Sequence, residues 1–198
     1  MLSAHSAGPS PVVIRRVMFF IDGEYFRKGL EEYGLPVMGS LQKFKQLALR
    51  YFFSRPFMAE VIRCYWYDAE YDKNHEKCHE QADFFKELSN FENFEIKTGE
   101  VVISAEGERQ KGVDVLIAVD MLTKSYENHY DIAILVAGDR DFIPLIKAVK
   151  DQAGKNVYGI YYSKHCSDKL KEIFDKKGAI GFSQPKNEIF IGSGAIYK

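Results

Sequence analysis

Two apolar, partly β-branched runs in this chain stop at aspartate: VMFFID at residues 17–22 and LVAGDRDF at 135–142. A short run without polar alternation suits a strand covered on both faces, and the chain leaves such a strand at Asp22 and again at Asp139-Arg140-Asp141. Around these two, strand-like and helix-like stretches alternate. The spacing predicts strands at 16–21, 59–67, 94–103 (broken or continuous at Gly99), 131–137, 156–162 and 178–182, with helices at 40–53, 74–89, 112–126, 141–152 and 167–176. That alternation predicts an α/β fold with a mostly parallel, doubly wound central sheet flanked by helices. In open sheets of this class, ligands bind outside the carboxyl ends of the strands, where these aspartates fall.

The helices rest on apolar spacing. Leu41, Phe44, Ala48 and Phe52 make one stripe, and Phe142, Leu145, Ile146 and Val149 make a second, with Pro144 tolerated in its first turn. A chain of 198 residues with 46% apolar content can build one domain with a sizeable core. The expected organisation is a disordered leader at 1–14, a domain at 15–182 and an extension at 183–198. In that extension IFI and AIY flank Gly192-Ser193-Gly194, as in a small hairpin or an interaction strand able to pair across a homodimer. SAEGERQK at 104–111 reads as a mobile polar loop.

A net charge of -1 excludes a polybasic protein, so any nucleic-acid surface must be a local patch. Cys64, Cys78 and Cys166 are odd in number and form no Cys-x-x-Cys pair, which argues against a disulfide framework and for a reducing, cytoplasmic home. No apolar run approaches the roughly 20 residues of a membrane span.

Each aspartate taken singly has a plain explanation as a helix cap or turn residue; Asp141 is placed to cap the helix after it, and Asp22-Gly23 has ordinary turn chemistry. Jointly they say more. If the two strands are adjacent and parallel, Asp22, Asp139 and Asp141 converge on one edge with Asp114, at the start of the helix in KGVDVLIAVD (111–120). Carboxylates gathered in this way repel unless a cation binds, and hard divalent cations such as Mg²⁺ prefer oxygen ligands. Such a site suits phosphodiester hydrolysis, with the ion activating water and stabilising the leaving oxygen. Asp22, Asp114, Asp139 and Asp141 are therefore the candidate ligands. Asp120, about 120° round the helix from Asp114, reads as a partly buried carboxylate with a hydrogen-bond partner or an outer role behind the ligands.

VMFFIDGEY, KGVDVLIAVD and ILVAGDRDFIPLIKAVKDQAGKNV together resemble the NYN domain, a PIN-like nuclease fold, over roughly residues 16–182. The resemblance implies a Rossmann-like sheet, a Mg²⁺ or Mn²⁺ site at the four aspartates, and cleavage of RNA, single-stranded or flexible. Where the first family motif continues to an asparagine, this chain has Tyr25, whose phenol lacks an amide's paired donor and acceptor. A non-cleaving RNA-binding or regulatory module is the alternative. Arg27, Lys28, Arg109, Lys111 and Arg140 border the motifs as candidate phosphate contacts, and Tyr25 and Phe26 are candidates to stack on an unpaired base. A remote rival is His75-Glu76-Lys77-Cys78-His79, a literal His-Glu-x-x-His match to zinc metalloproteases, without an evident third ligand.

Overall fold

The computed structural model describes residues 13–54, 58–104, 107–183 and 187–194. Most of the expected leader and the AIY segment lie outside the described residues. The elements run β1 (Arg15–Asp22), α1 (Gly23–Glu31), α2 (Val37–Phe52), β2 (Ala59–Glu70), α3 (Cys78–Leu88), β3 (Phe94–Ser104), β4 (Gly107–Lys111) and α4 (Val113–Tyr126). They continue with β5 (Ile132–Val136), α5 (Ile143–Asp151), β6 (Asn156–Tyr162), α6 (Asp168–Ile173), β7 (Lys176–Ser183) and β8 (Glu188–Gly192). Short 3₁₀ turns at Arg140–Phe142 and Ser163–His165 follow β5 and β6.

All eight strands form one sheet in the order β4-β3-β2-β1-β5-β6-β7-β8. Its interior pairings are parallel, and only the edge strands β4 and β8 run antiparallel to their neighbours. β1 lies at the centre, and its side chains divide between two cores. Val17, Phe19 and Ile21 face one side with Phe26 and Leu30 of α1, the Leu41, Phe44, Ala48 and Phe52 stripe of α2, and Leu88 of α3. Met18 and Phe20 face the other with Ile117 and Met121 of α4, Leu145, Ile146 and Val149 of α5, and Leu170 of α6. Covering of both faces is why β1 carries no polar alternation. Helices therefore change side between the β1–β2–β3 half and the β5–β6–β7 half, leaving a crevice between the ends of β1 and β5.

One open expectation is closed, two change and one element is new. β3 passes through Gly99 unbroken; a Cβ there would overlap the Lys111 carbonyl oxygen, so glycine lets the following strand come close. Most of the expected polar loop at 104–111 is β4, an edge strand antiparallel to β3, and its polar composition suits an exposed edge. IFI in the tail is β8, which pairs with β7, so the hairpin is formed with the domain. Residues 23–31, for which the spacing predicts no element beyond the turn chemistry of Asp22-Gly23, form α1 with Phe26 and Leu30 on its buried face.

Packing of α1 on the sheet is close. A Cβ at Gly29 would overlap the buried ring of Tyr162 at the end of β6. Gly29→Ala is expected to destabilise the protein by about 1–3 kcal/mol, as overpacking does, read as a lower urea midpoint at unchanged slope.

Candidate active site

Asp22 ends β1 and caps α1, accepting from the Tyr25 N–H at 3.0 Å. Asp139 stands three residues past β5 and caps the 3₁₀ turn, accepting from the Asp141 N–H at 2.9 Å. Asp114 lies in the first turn of α4, which the chain enters through Gly112 at φ 86°, a conformation that favours glycine. These three carboxylates line one cleft of about 490 Å³, together with Glu24, Lys28 and Arg109. Asp141 is exposed and outside that lining, although its charge reaches Asp114. Of the two adjacent acids, Asp139 does the capping expected of Asp141.

Burial pushes the Asp22 carboxyl up to about 7, opposed by the Tyr25 N–H and reinforced by the charges of Asp114, Glu24 and Asp68. Asp114 is also raised, first by burial and then by Asp139, Asp141 and Glu24. The carboxylates are thus near enough to feel one another, and Lys28 pairs with Glu24 at 2.6 Å. Among the described residues no three His, Cys, Asp or Glu side chains form a ready-made metal cage. Mg²⁺ does not require one, since it keeps several waters and takes one or two carboxylates. An all-oxygen set that includes an acid raised by burial fits a hard divalent cation.

Asp68, fully buried at the end of β2, is the contrasting case. It accepts from Trp66 Nε1 at 3.1 Å, Gln110 Nε2 and Arg27 Nη2 at 3.0 Å, and the Ala69 N–H at 2.9 Å, with Arg27 Nη1 on its other oxygen. Arg27, expected to touch phosphate, is thereby committed to a structural ion pair. Lys28 and Arg109 do line the cleft, Arg140 lies just beyond it, and Lys111 is exposed on β4 outside the lining. Asp120 accepts from the Tyr67 hydroxyl at 3.0 Å and pairs with Lys124 at 3.1 Å, which satisfies the first of its two expected roles.

Phe26 is fully buried against Phe44 and Trp66, so it cannot stack on a base. The Tyr25 hydroxyl accepts from the Tyr162 N–H at 2.8 Å and ties α1 to the end of β6. The zinc reading fails on helix geometry. α3 begins at Cys78, so His75 precedes it and does not share a helical face with His79. His75 instead stacks on Tyr71 and meets Glu108 at 2.9 Å.

Sequence reasoning missed Glu24 and Asp68. Both carried a signal: Glu24 follows Asp22 by two residues in the same turn, and Asp68 ends the apolar run of β2 as Asp22 ends β1.

A family-wide match to the NYN domain covers residues 16–177, most of the chain. The chain belongs to the NYN domain family. NYN domains are generally nuclease-like, and nucleases of this PIN-like kind typically use divalent metals. Among solved structures, a protein of unknown function from Vibrio parahaemolyticus superposes with a TM-score of 0.60 at 18% identity, over 84% of this chain and 93% of that one. That likeness supports the NYN fold alone. No curated protein matches.

Two outcomes follow from the charges of this NYN domain. The folded state binds the Asp22 proton more tightly than the unfolded chain, so protonated Asp22 adds stability in full below about pH 4, lost as pH rises through about 7. Asp22→Asn, which keeps the cap, is expected to match wild type near pH 4 and exceed it by on the order of 2–4 kcal/mol at pH 8, in urea unfolding across pH. Arg27→Ala leaves Asp68 buried without its ionic partner and is expected to cost about 3–5 kcal/mol, read by the same denaturation.

Proposed function

We propose that this NYN domain is a metal-dependent endoribonuclease that hydrolyses RNA phosphodiester bonds in the acidic cleft. The observation that carries the reading is the convergence of Asp22, Asp114 and Asp139, with Glu24, at the crevice where the helices change side. One or two of Asp22, Asp114 and Asp139 would hold Mg²⁺ or Mn²⁺ directly and the rest through its waters, with Asp141 acting through its charge on Asp114 and its N–H on Asp139. A bound ion of this kind supplies Lewis acidity, lowering the pKa of a nearby water and withdrawing charge from the phosphoryl group.

The rest is the work of the chain. Lys28, paired with Glu24 at 2.6 Å, and Arg109 stand in the same lining as cations that a phosphate can approach. Asp22 is fixed by its cap on α1 and Asp139 by its cap on the 3₁₀ turn, so both carboxylates are oriented before substrate arrives. The substrate class is RNA in a single-stranded or flexible region. Three free cysteines are consistent with a cytoplasmic setting, and among the described residues no helix is long and apolar enough to cross a membrane.

One observation favours a second reading, a non-catalytic RNA-binding module. Tyr25 occupies the asparagine position of the family motif, and its hydroxyl is engaged with the Tyr162 backbone. The two readings separate in one experiment on labelled single-stranded RNAs with Mg²⁺, Mn²⁺ or EDTA. The nuclease is expected to cut only with metal, and Asp139→Asn is expected to lower the rate at least a hundredfold while RNA binding persists. Mn²⁺ is also expected to raise the melting temperature of wild type more than that of Asp114→Asn, by linkage. Metal-independent thermal stability and no cleavage by folded wild type would select the binding module.

A further inference from the structure

We infer that a second cavity, joined to the acidic cleft through Asp139 and Lys28, is the subsite for one unpaired nucleotide adjoining the phosphate to be cut; this rests on the nuclease reading above. The cavity measures about 570 Å³, within the ~300–1,000 Å³ typical of small-molecule sites. It sits between α1, the loop after β5 and the turn after β6, so it opens at the same carboxyl edge of the sheet. Its wall near the sheet is formed by Tyr25, Gly29, Gly138 and Tyr162.

The balance of charge differs from one cavity to the next. Five carboxylates, Asp22, Glu24, Glu108, Asp114 and Asp139, line the first with Lys28 and Arg109, whereas the second has Lys28 and Arg140 against Glu32 and the shared Asp139, and Lys28 is paired with Glu24 at 2.6 Å. Glu32, the carboxylate in the second lining besides the shared Asp139, is paired with His165 at 2.6 Å. The Arg140 side chain is exposed and has no hydrogen-bond or ion-pair partner among the described residues, so its guanidinium fork is available to a phosphate. The Tyr25 oxygen accepts from the Tyr162 N–H, which leaves its own hydrogen to donate into the cavity it lines. An unpartnered arginine at the rim of a partly aromatic wall matches a nucleotide unit, phosphate outside and base inside. A base in a duplex is stacked and paired, so it does not enter such a cavity unless flipped out. The subsite therefore selects single-stranded substrate by shape.

The test begins with adenosine 5′-monophosphate titrated into the full chain in EDTA and followed by amide NMR. Shifts are expected at Gly29, Gly138 and Ser167, all in the cavity lining. Arg140→Ala is expected to weaken binding roughly tenfold or more, the usual effect of losing a charged hydrogen bond, and Lys28→Ala to weaken it less. Asp114→Asn, confined to the acidic cleft, is expected to bind the nucleotide as wild type does. The second arm walks one abasic position along a cleaved single-stranded RNA. One position beside the cut is expected to raise KM about tenfold in wild type and to have little further effect in Arg140→Ala.

Absence of shifts in the cavity, or equal affinity in Arg140→Ala, overturns the inference even if the enzyme cuts RNA. Nucleotide binding in the cavity with indifference at every abasic position overturns it too, leaving a site for free nucleotides. Binding with the expected shifts but no cleavage of any RNA would instead sink the nuclease reading and leave a nucleotide site on a binding module.

Discussion

Parallel pairing of β1 with β5 at the centre of the sheet is the constraint on which the candidate site depends. Ile21 lies opposite Val136, so the chain leaves both strands at the same edge, and Asp22 and Asp139 follow within a few residues. Helices connected to β1 and β2 pack on one face, whereas those flanking β5 and β6 pack on the other. No helix can then cover the gap between the two strand ends, and α4 adds Asp114 from the side. Asp22 and Asp139 take no place from the core, because every apolar residue of β1 and β5 is buried on one face or the other.

Two neighbouring aspartates show how differently this fold treats buried acids. Asp68 is surrounded by donors from Arg27, Trp66, Gln110 and its own chain, the arrangement that makes a buried charge tolerable. Asp22 is buried with one backbone N–H donor and feels the charges of three other carboxylates, so burial first and repulsion second leave its ionised form unfavourable. A fold that solves the first case so fully has the means to solve the second. Local conflict of this kind is concentrated at functional sites, where a ligand completes what the protein leaves open.

Tyr25 links the site to the second cavity. Its hydroxyl holds the end of β6, its ring packs beside Tyr162 at 5.4 Å, and a Cβ at Gly138 would run into that ring. Glycine at 138 thus makes room on the opposing loop for the Tyr25 ring and for the His165 carbonyl. The result is a wall between α1 and the loop after β5, which shapes the space beside the acids.

The sequence by itself determined the class of fold and the aspartates at strand ends, because burial on both faces and helical spacing are written in local apolar pattern. The stripes of α2 and α5 and the uninterrupted runs of β1 and β5 are of this kind, and the NYN resemblance rests on the same segments. Short-range pattern did not reveal α1, whose nine residues begin with a turn-like Asp-Gly and carry few apolar positions. It did not reveal β4 either, since an edge strand exposed on both faces has no alternation to show. Only the tertiary structure decided which charges are available: it joined Arg27 to Asp68, separated His75 from the helix of His79 and left Asp141 at the margin. Those outcomes depend on contacts between residues tens of positions apart, or on the starting residue of a helix, and neither is encoded in the spacing of nearby residues.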